Sequence, residues 1–332
     1  MSQNSSQPRS TREVIRWLEE GHISAVTAMS HLADGFSVEP DTGDDSKVTA
    51  TERRSSNPTM SVQQGRRGLQ KLSSLVGLGK IKEAIREVVA YAHIQQRRSQ
   101  MDLASQPLML HSVFSGNPGT GKTTVARILA EIFHDIGVLE RGHLVEAERA
   151  DIVGEYIGHT AQKMRKKVKA AIGGVLFIDE AYSLARGGER DFGKEAIDAL
   201  VKAMEDRRDE FVLILAGYTQ EMEWFLTQNP GLRSRFAAHL TFPDYSADEL
   251  VRIAQLMLRE RQYQLSSGGQ DALRTVAGGL QGGEWGRGNA RSMRNLLERA
   301  MRRQAVRLMN NSNPTRSELL TLHAEDFEEI IH

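Results

Sequence analysis

The chain has 332 residues, 39% hydrophobic and 26% charged, with 43 basic side chains, 43 acidic ones and no cysteine. That length suits about two domains, and the composition excludes a collagen-like or wholly disordered chain. Zero net charge argues against a polybasic membrane or nucleic-acid binder; without cysteine there are no disulfides, zinc–thiolate sites or thiol nucleophiles.

Met1 to Ser10 is polar and lacks the apolar core of a secretory leader. No apolar run approaches the roughly 20 residues of a spanning helix. The expected compartment is the cytoplasm, with no membrane insertion. Residues 1–35 read as an N-terminal helical segment: Ser10 or Thr11 can cap it, Val14, Ile15, Leu18, Val26 and Met29 are loosely spaced along it, and Gly21 interrupts it. Residues 36–70 are poor in large apolar side chains, cannot offset their ordering entropy, and read as a disordered linker. Over 71–245 the pattern predicts a helix at Lys80–Arg97 and then alternates. Strands are expected at Leu108–Ser115, Leu144–Ala147, Val175–Asp179 and Phe211–Ala216, and helices at Lys122–Phe133, Thr160–Ala171 and Glu195–Glu205. Short apolar strands separated by helices imply an α/β fold with a parallel sheet covered on both faces. Over 246–332 the reading is a small all-helical domain. Ser246 and Glu249 form a capping box, and Gln270–Gly278, Arg291–Asn310 and Ala324–Ile331 follow as helices.

Gly116-Asn117-Pro118-Gly119-Thr120-Gly121-Lys122-Thr123 fits G-x-x-x-x-G-K-[ST] between a predicted strand and a predicted helix. Glycines let backbone N–H groups turn toward phosphate oxygens, and the helix N-terminus adds partial positive charge there. Lys122 can neutralise β- and γ-phosphate charge, and Thr123 can offer its hydroxyl to Mg²⁺. These eight residues and Thr124 form the expected ATP site. Gly77-Leu78-Gly79-Lys80 reads as a turn before a helix only. The strand Val175–Ile178 ends in Asp179 and Glu180. Asp179 faces the Mg²⁺, through water, and Glu180 polarises a water for in-line attack. The carboxylate pair favours hydrolysis over transfer to a small acceptor.

With these motifs, Glu146–Asp151, Gly154–Gln162, Leu176–Glu195 and Asn229–Tyr245 make the chain resemble the AAA+ ATPases over about Leu72–Asn310. Within them it resembles the branch that contains stage V sporulation protein K and the red-type Rubisco activases. The run Gly187–Glu195 is most like the sporulation protein. The resemblance implies a P-loop core with a five-stranded parallel sheet and a helical lid. It implies a homo-hexamer that uses ATP to remodel or thread a protein client, with sporulation as the setting. It places an arginine finger at Arg235, with Arg233 the weaker candidate, and a sensor-2 arginine at Arg291, with Arg294 the alternative. Tyr218, or else Thr219, takes the sensor-1 position, where many relatives carry Asn. Tyr156-Ile157-Gly158 corresponds to the pore loop that grips an extended polypeptide, and Ala185–Gly193 to a second such loop.

Each of these has a plainer counterpart: a structural Arg–carboxylate pair at Arg235, a buried anchoring tyrosine at Tyr156, a surface loop at Ala185–Gly193. The basic runs at Arg165–Lys169 and Arg291–Arg307 read as solvated or inter-subunit faces, so nucleic acid is not the expected partner. The rival readings are a red-type Rubisco activase, a nucleic-acid motor and a nucleotide-gated scaffold.

Overall fold

The computed structural model describes residues 67–104, 108–156, 158–186, 191–280, 288–309 and 311–330. The expected N-terminal helical segment, most of the expected linker, Ile157 and Gly187–Arg190 lie outside the described residues. Residues 67–74 are already helical, a few residues ahead of the boundary expected at 71, because Leu69 and Leu72 pack into the core.

Helix α1 (Gly79–Gln100) buries Ile81, Ile85, Val89 and Ala92 along one stripe. After it come β1 (Ser112–Gly116), α2 (Lys122–Asp135), β2 (Leu144–Ala147), the single turn α3 (Arg149–Ile152) and α4 (His159–Ala171). The core then runs through β3 (Val175–Ile178), a 3₁₀ turn at Ala181–Ala185, α5 (Gly193–Asp206), β4 (Val212–Gly217), α6 (Thr219–Gln228), the short α7 (Pro230–Arg233) and β5 (Ala238–Phe242). The five strands are parallel in the order β2-β3-β4-β1-β5.

Alternation along the strands divides the interior in two. Phe114, Val175, Phe177, Ile214 and Leu240 enter one core with α1 and α2. Val113, Leu176, Ile178, Leu213 and Leu215 enter the other with α4, α5 and α6. Burial on both faces is why these strands read as continuous apolar runs. It also aligns the C-terminal ends of β1, β3 and β4 at one edge of the sheet, the edge where open α/β folds bind ligands.

The lid opens with α8 (Ala247–Glu260), whose capping box forms as expected: Glu249 N–H donates to Ser246 Oγ at 3.2 Å and Ser246 N–H to Glu249 Oε2 at 2.8 Å. It continues through β6 (Gln264–Leu265), α9 (Ser267–Leu280), α10 (Asn289–Leu308), α11 (Arg316–Leu320), β7 (Thr321–Leu322) and a 3₁₀ turn at Ala324–Ile330. The lid is therefore not wholly helical: β6 and β7 pair in parallel over two residues. Buried Gln304 supports that pairing, its Nε2 donating to the carbonyls of Glu318, Leu319 and Thr321. Two-residue strands are too short to show periodicity in a sequence. Leu250, Leu258, Leu273 and Met293 of the lid share the α1–α2 core, so the two domains are packed continuously. Among the described residues no helix is long and apolar enough to cross a membrane.

His111, just ahead of β1, is buried beside Phe211, and its Nδ1 accepts the Leu213 N–H at 3.0 Å. Burial pushes its pKa down to about 4. The folded state thus holds this ring neutral where the unfolded chain protonates it. Its contribution is complete above pH 6.5 and is lost as pH falls from 6.5 toward 4, by roughly 3 kcal/mol. Burial of His93 and His239 acts in the same sense. His111→Gln should flatten the fall in unfolding midpoint across that window, measured by urea titration at successive pH values.

Candidate functional site

The loop between β1 and α2 turns on glycines with positive φ: 71° at Gly119 and 95° at Gly121. Gly119 admits no side chain, since a Cβ there would lie 2.2 Å from the Gly288 carbonyl oxygen and 2.7 Å from the Arg291 nitrogen. Each loop carbonyl has a partner. Lys122 Nζ donates to Gly116 O at 2.8 Å and Asn117 O at 2.9 Å. Asn289 Nδ2 donates to Pro118 O at 3.3 Å, Ala290 N–H to Gly119 O at 3.2 Å, and Tyr245 Oη–H to Thr120 O at 3.1 Å. Val125 N–H takes Gly121 O at 2.9 Å in the first turn of α2. With the carbonyls engaged, the loop's N–H groups and the α2 N-terminus are what it offers an anion.

The side chains in the motif divide by role. Lys122, Thr123 and Thr124 line a cleft of about 630 Å³ together with Gly116, Pro118, Gly119 and Gly121. The Asn117 and Thr120 side chains are engaged elsewhere: Asn117 Nδ2 donates to Asp244, and Thr120 Oγ1 donates to Asn117 O. Burial pushes the Lys122 ammonium below the usual lysine range. Asp179 opposes that shift, Arg291 adds to it and Asp244 opposes it. Burial, followed by the Glu249 charge, pushes Tyr245 up to about 12, so its phenol stays a donor.

Across the cleft, Asp179 follows β3 and its N–H donates to Ala147 O at 3.0 Å, continuing the strand pairing for one residue. Glu180 takes a left-handed conformation, φ 46°, and its N–H donates to Asp179 Oδ1 at 3.0 Å. That turn brings both residues to the cleft wall. Tyr218 lines the same wall and stacks on Tyr182 with ring centroids 6.0 Å apart, whereas Thr219 opens α6. Arg291 and Arg294 of α10 close the lid side.

The sequence did not reveal the apolar wall. Leu75, Val76 and Leu78 line the cleft from before α1, facing Ile253 and Met257 of α8. The turn expected to serve only as a helix start is thus part of the site. Its signal was an apolar pair, Leu75-Val76, that the buried stripe of α1 does not use.

Two candidates stand away from this cleft. Arg235 follows α7, and its guanidinium pairs with the Glu205 carboxylate of α5 and donates to Gly231 O. Tyr156 lies between α3 and α4 and is 66% exposed, its ring edge-on to His159 at 5.4 Å. It is therefore no buried anchor. Gly158, at φ 80°, opens α4 with free space around it.

Residues 112–244 match the family model of the ATPases associated with various cellular activities, and residues 246–332 match its AAA lid domain. Stage V sporulation protein K of Bacillus subtilis (strain 168) is 51% identical over 261 residues, 77% of this chain and 80% of that protein. The chain belongs to the AAA ATPases. Protein CbbX of Cereibacter sphaeroides is 48% identical over 76% of this chain and 82% of its own length. The chloroplastic ribulose bisphosphate carboxylase/oxygenase activase of Cyanidioschyzon merolae is 46% identical over 76% of this chain and 87% of that protein. The AAA fold here also resembles the RuvB Holliday junction branch migration motor of Thermotoga maritima, with TM-score 0.51 and 20% identity, covering 76% of this chain and 68% of that one. As an AAA ATPase the protein binds ATP and hydrolyses it, and members of this family typically assemble as rings.

Lys122→Ala removes the one ammonium at the loop. The loss of charge-assisted bonds to phosphate, about 3 kcal/mol, should weaken ATP binding on the order of 100-fold. Equilibrium binding of a fluorescent ATP analogue checks this, and retained affinity contradicts the assignment.

Proposed function

We propose that the protein is the subunit of a homo-hexameric ring in which ATP is hydrolysed at the seam between neighbours and the motion remodels or threads a protein client. One observation carries this reading: the cleft holds Lys122, Asp179, Glu180 and Arg291, whereas Arg235 points away from it. A guanidinium outside its own cleft, on the far end of the core, suits the cleft of the next subunit.

In this mechanism Lys122 leaves the Gly116 and Asn117 carbonyls and bonds the β- and γ-phosphates. The loop N–H groups hold the remaining oxygens. Leu75, Val76, Ile253 and Met257 give the base an apolar slot. Thr123 and Asp179 present oxygen donors only, a set that fits Mg²⁺, and that ion supplies phosphate charge neutralisation when bound. Glu180 orients a water and accepts its proton while the water oxygen bonds to the γ-phosphorus. The bond to the β–γ bridging oxygen breaks, and ADP and inorganic phosphate form. Tyr218 steadies that water, and the neighbour's Arg235 stabilises charge on the transferring group. To do so Arg235 exchanges Glu205 for phosphate. Arg291 reports the change to the lid. Exposed Tyr156, beside Ile157 and Gly158, is the client-gripping group: a ring of such side chains gives sequence-tolerant apolar contact.

Similarity to stage V sporulation protein K supports a role in sporulation. The second reading is a Rubisco client, supported by similarity to the chloroplastic activase. Stimulation of ATP turnover by added Rubisco separates the two.

Arg235→Ala should cut turnover by roughly 10³-fold while ATP affinity stays within about threefold. Small fractions of this variant should depress wild-type turnover in mixed assemblies, and independence of the two in mixtures overturns the shared site. Tyr156→Ala should reduce client remodelling far more than basal ATP turnover, measured side by side on the same preparation.

A further inference from the structure

We propose that Asn289 is a positioning residue for the nucleotide: with Asp244 it forms a latch that holds the phosphate loop in its binding shape only while the lid is seated. Asn289 is the first residue of α10, 1% exposed and left-handed at φ 47°. Its short amide tolerates that conformation and carries donor and acceptor at one planar end. Oδ1 accepts the Tyr245 N–H at 2.9 Å, while Nδ2 donates to Asp244 Oδ1 at 2.7 Å and to Pro118 O at 3.3 Å. Asp244 in turn accepts Asn117 Nδ2 on both oxygens, at 3.0 and 2.9 Å. Ala290 N–H, next along the helix, holds Gly119 O.

One buried amide thus joins three segments: the loop at Asn117–Gly119, the hinge at Asp244–Tyr245 between β5 and α8, and the first turn of α10. Each has a distinct share. The carbonyls of Pro118 and Gly119 must point away from the cleft for the neighbouring N–H groups to face phosphate, and lid atoms hold both. Rotation of the lid therefore acts on the loop backbone itself, by a route separate from the Arg291 side chain. Asp cannot replace Asn289 because it lacks the donor, and Gln is one methylene too long for the same three partners.

The test uses the full-length chain. Asn289→Asp is isosteric, sets two carboxylates against each other where an amide and a carboxylate now meet, and takes the donor from Pro118 O. The ATP dissociation constant and KM should rise at least about tenfold, with kcat at saturating ATP changed less than about threefold. The double exchange Asn289→Asp with Asp244→Asn keeps the total charge and pairs the two positions again, but Pro118 O still lacks its donor and Asn117 Nδ2 meets an amide, so thermal stability should recover while ATP affinity stays low. A thermal midpoint that recovers while ATP affinity does not separates positioning from stability. Asn117→Ala cuts the latch at its exposed end, where the buried pair remains, and should weaken ATP binding about threefold or more. Wild-type ATP affinity in Asn289→Asp overturns the proposal. So does a double variant that regains wild-type ATP affinity without a donor to Pro118 O. Should Asn289→Asp fail to fold, wild-type affinity in Asn117→Ala overturns it equally.

Discussion

A loop that grips phosphate with backbone N–H groups has to dispose of its carbonyls. In this chain each carbonyl from Gly116 to Gly121 is taken, and the donors come from several places: the loop's own lysine, the following helix, the hinge tyrosine and the first turn of the lid helix. A buried peptide carbonyl without a partner costs on the order of 1–3 kcal/mol, and when Lys122 turns to phosphate the carbonyls of Pro118 to Gly121 keep their partners. The binding surface is therefore not a local product of glycines. Three of its six carbonyls are held by the hinge tyrosine and the first turn of the lid helix, so on the proposal above the second domain is a structural component of the phosphate site.

The sheet supplies the rest by geometry. Because β1, β3 and β4 run in parallel and are buried on both faces, their ends cannot shift relative to one another without exposing apolar surface on one side or leaving voids. Lys122, Asp179 and Tyr218 are mounted at those ends. Their relative positions are set by Phe114, Phe177, Leu215 and neighbours that touch no ligand. Exposed Tyr156 and half-buried Arg235 sit on short turns outside this frame, Arg235 held there by Glu205 and Gly231 O.

Much of this was legible in the sequence because it is local. The phosphate loop declares itself by spacing between a strand and a helix. The β3 run ends on two carboxylates, and Ser246 with Glu249 marks the start of the lid. The family resemblance implied a fifth strand without placing it; it lies at Ala238–Phe242, where exposed His239 and Thr241 interrupt the apolar run. What stayed hidden is tertiary. The apolar wall joins Leu75 and Val76 to Ile253 and Met257, residues far apart in the chain. Asn289 lies two residues ahead of the helix expected from Arg291, and nothing in its neighbours announces partners at Pro118, Asp244 and Tyr245. The β6–β7 pair is too short to leave a pattern. Tyr218 departs from the asparagine common at its position, and only the stacking on Tyr182 and its place in the cleft show where its ring lies.

The close approach at Gly119 carries one more meaning. The two domains meet there with less room than a methyl group needs. Hydrogen is the only substituent compatible with this degree of closure, so in the mechanism proposed above this position would set how far the lid can close. Sequence drift elsewhere on the lid surface can alter how strongly the halves attract. Drift at this point alters how near they can come.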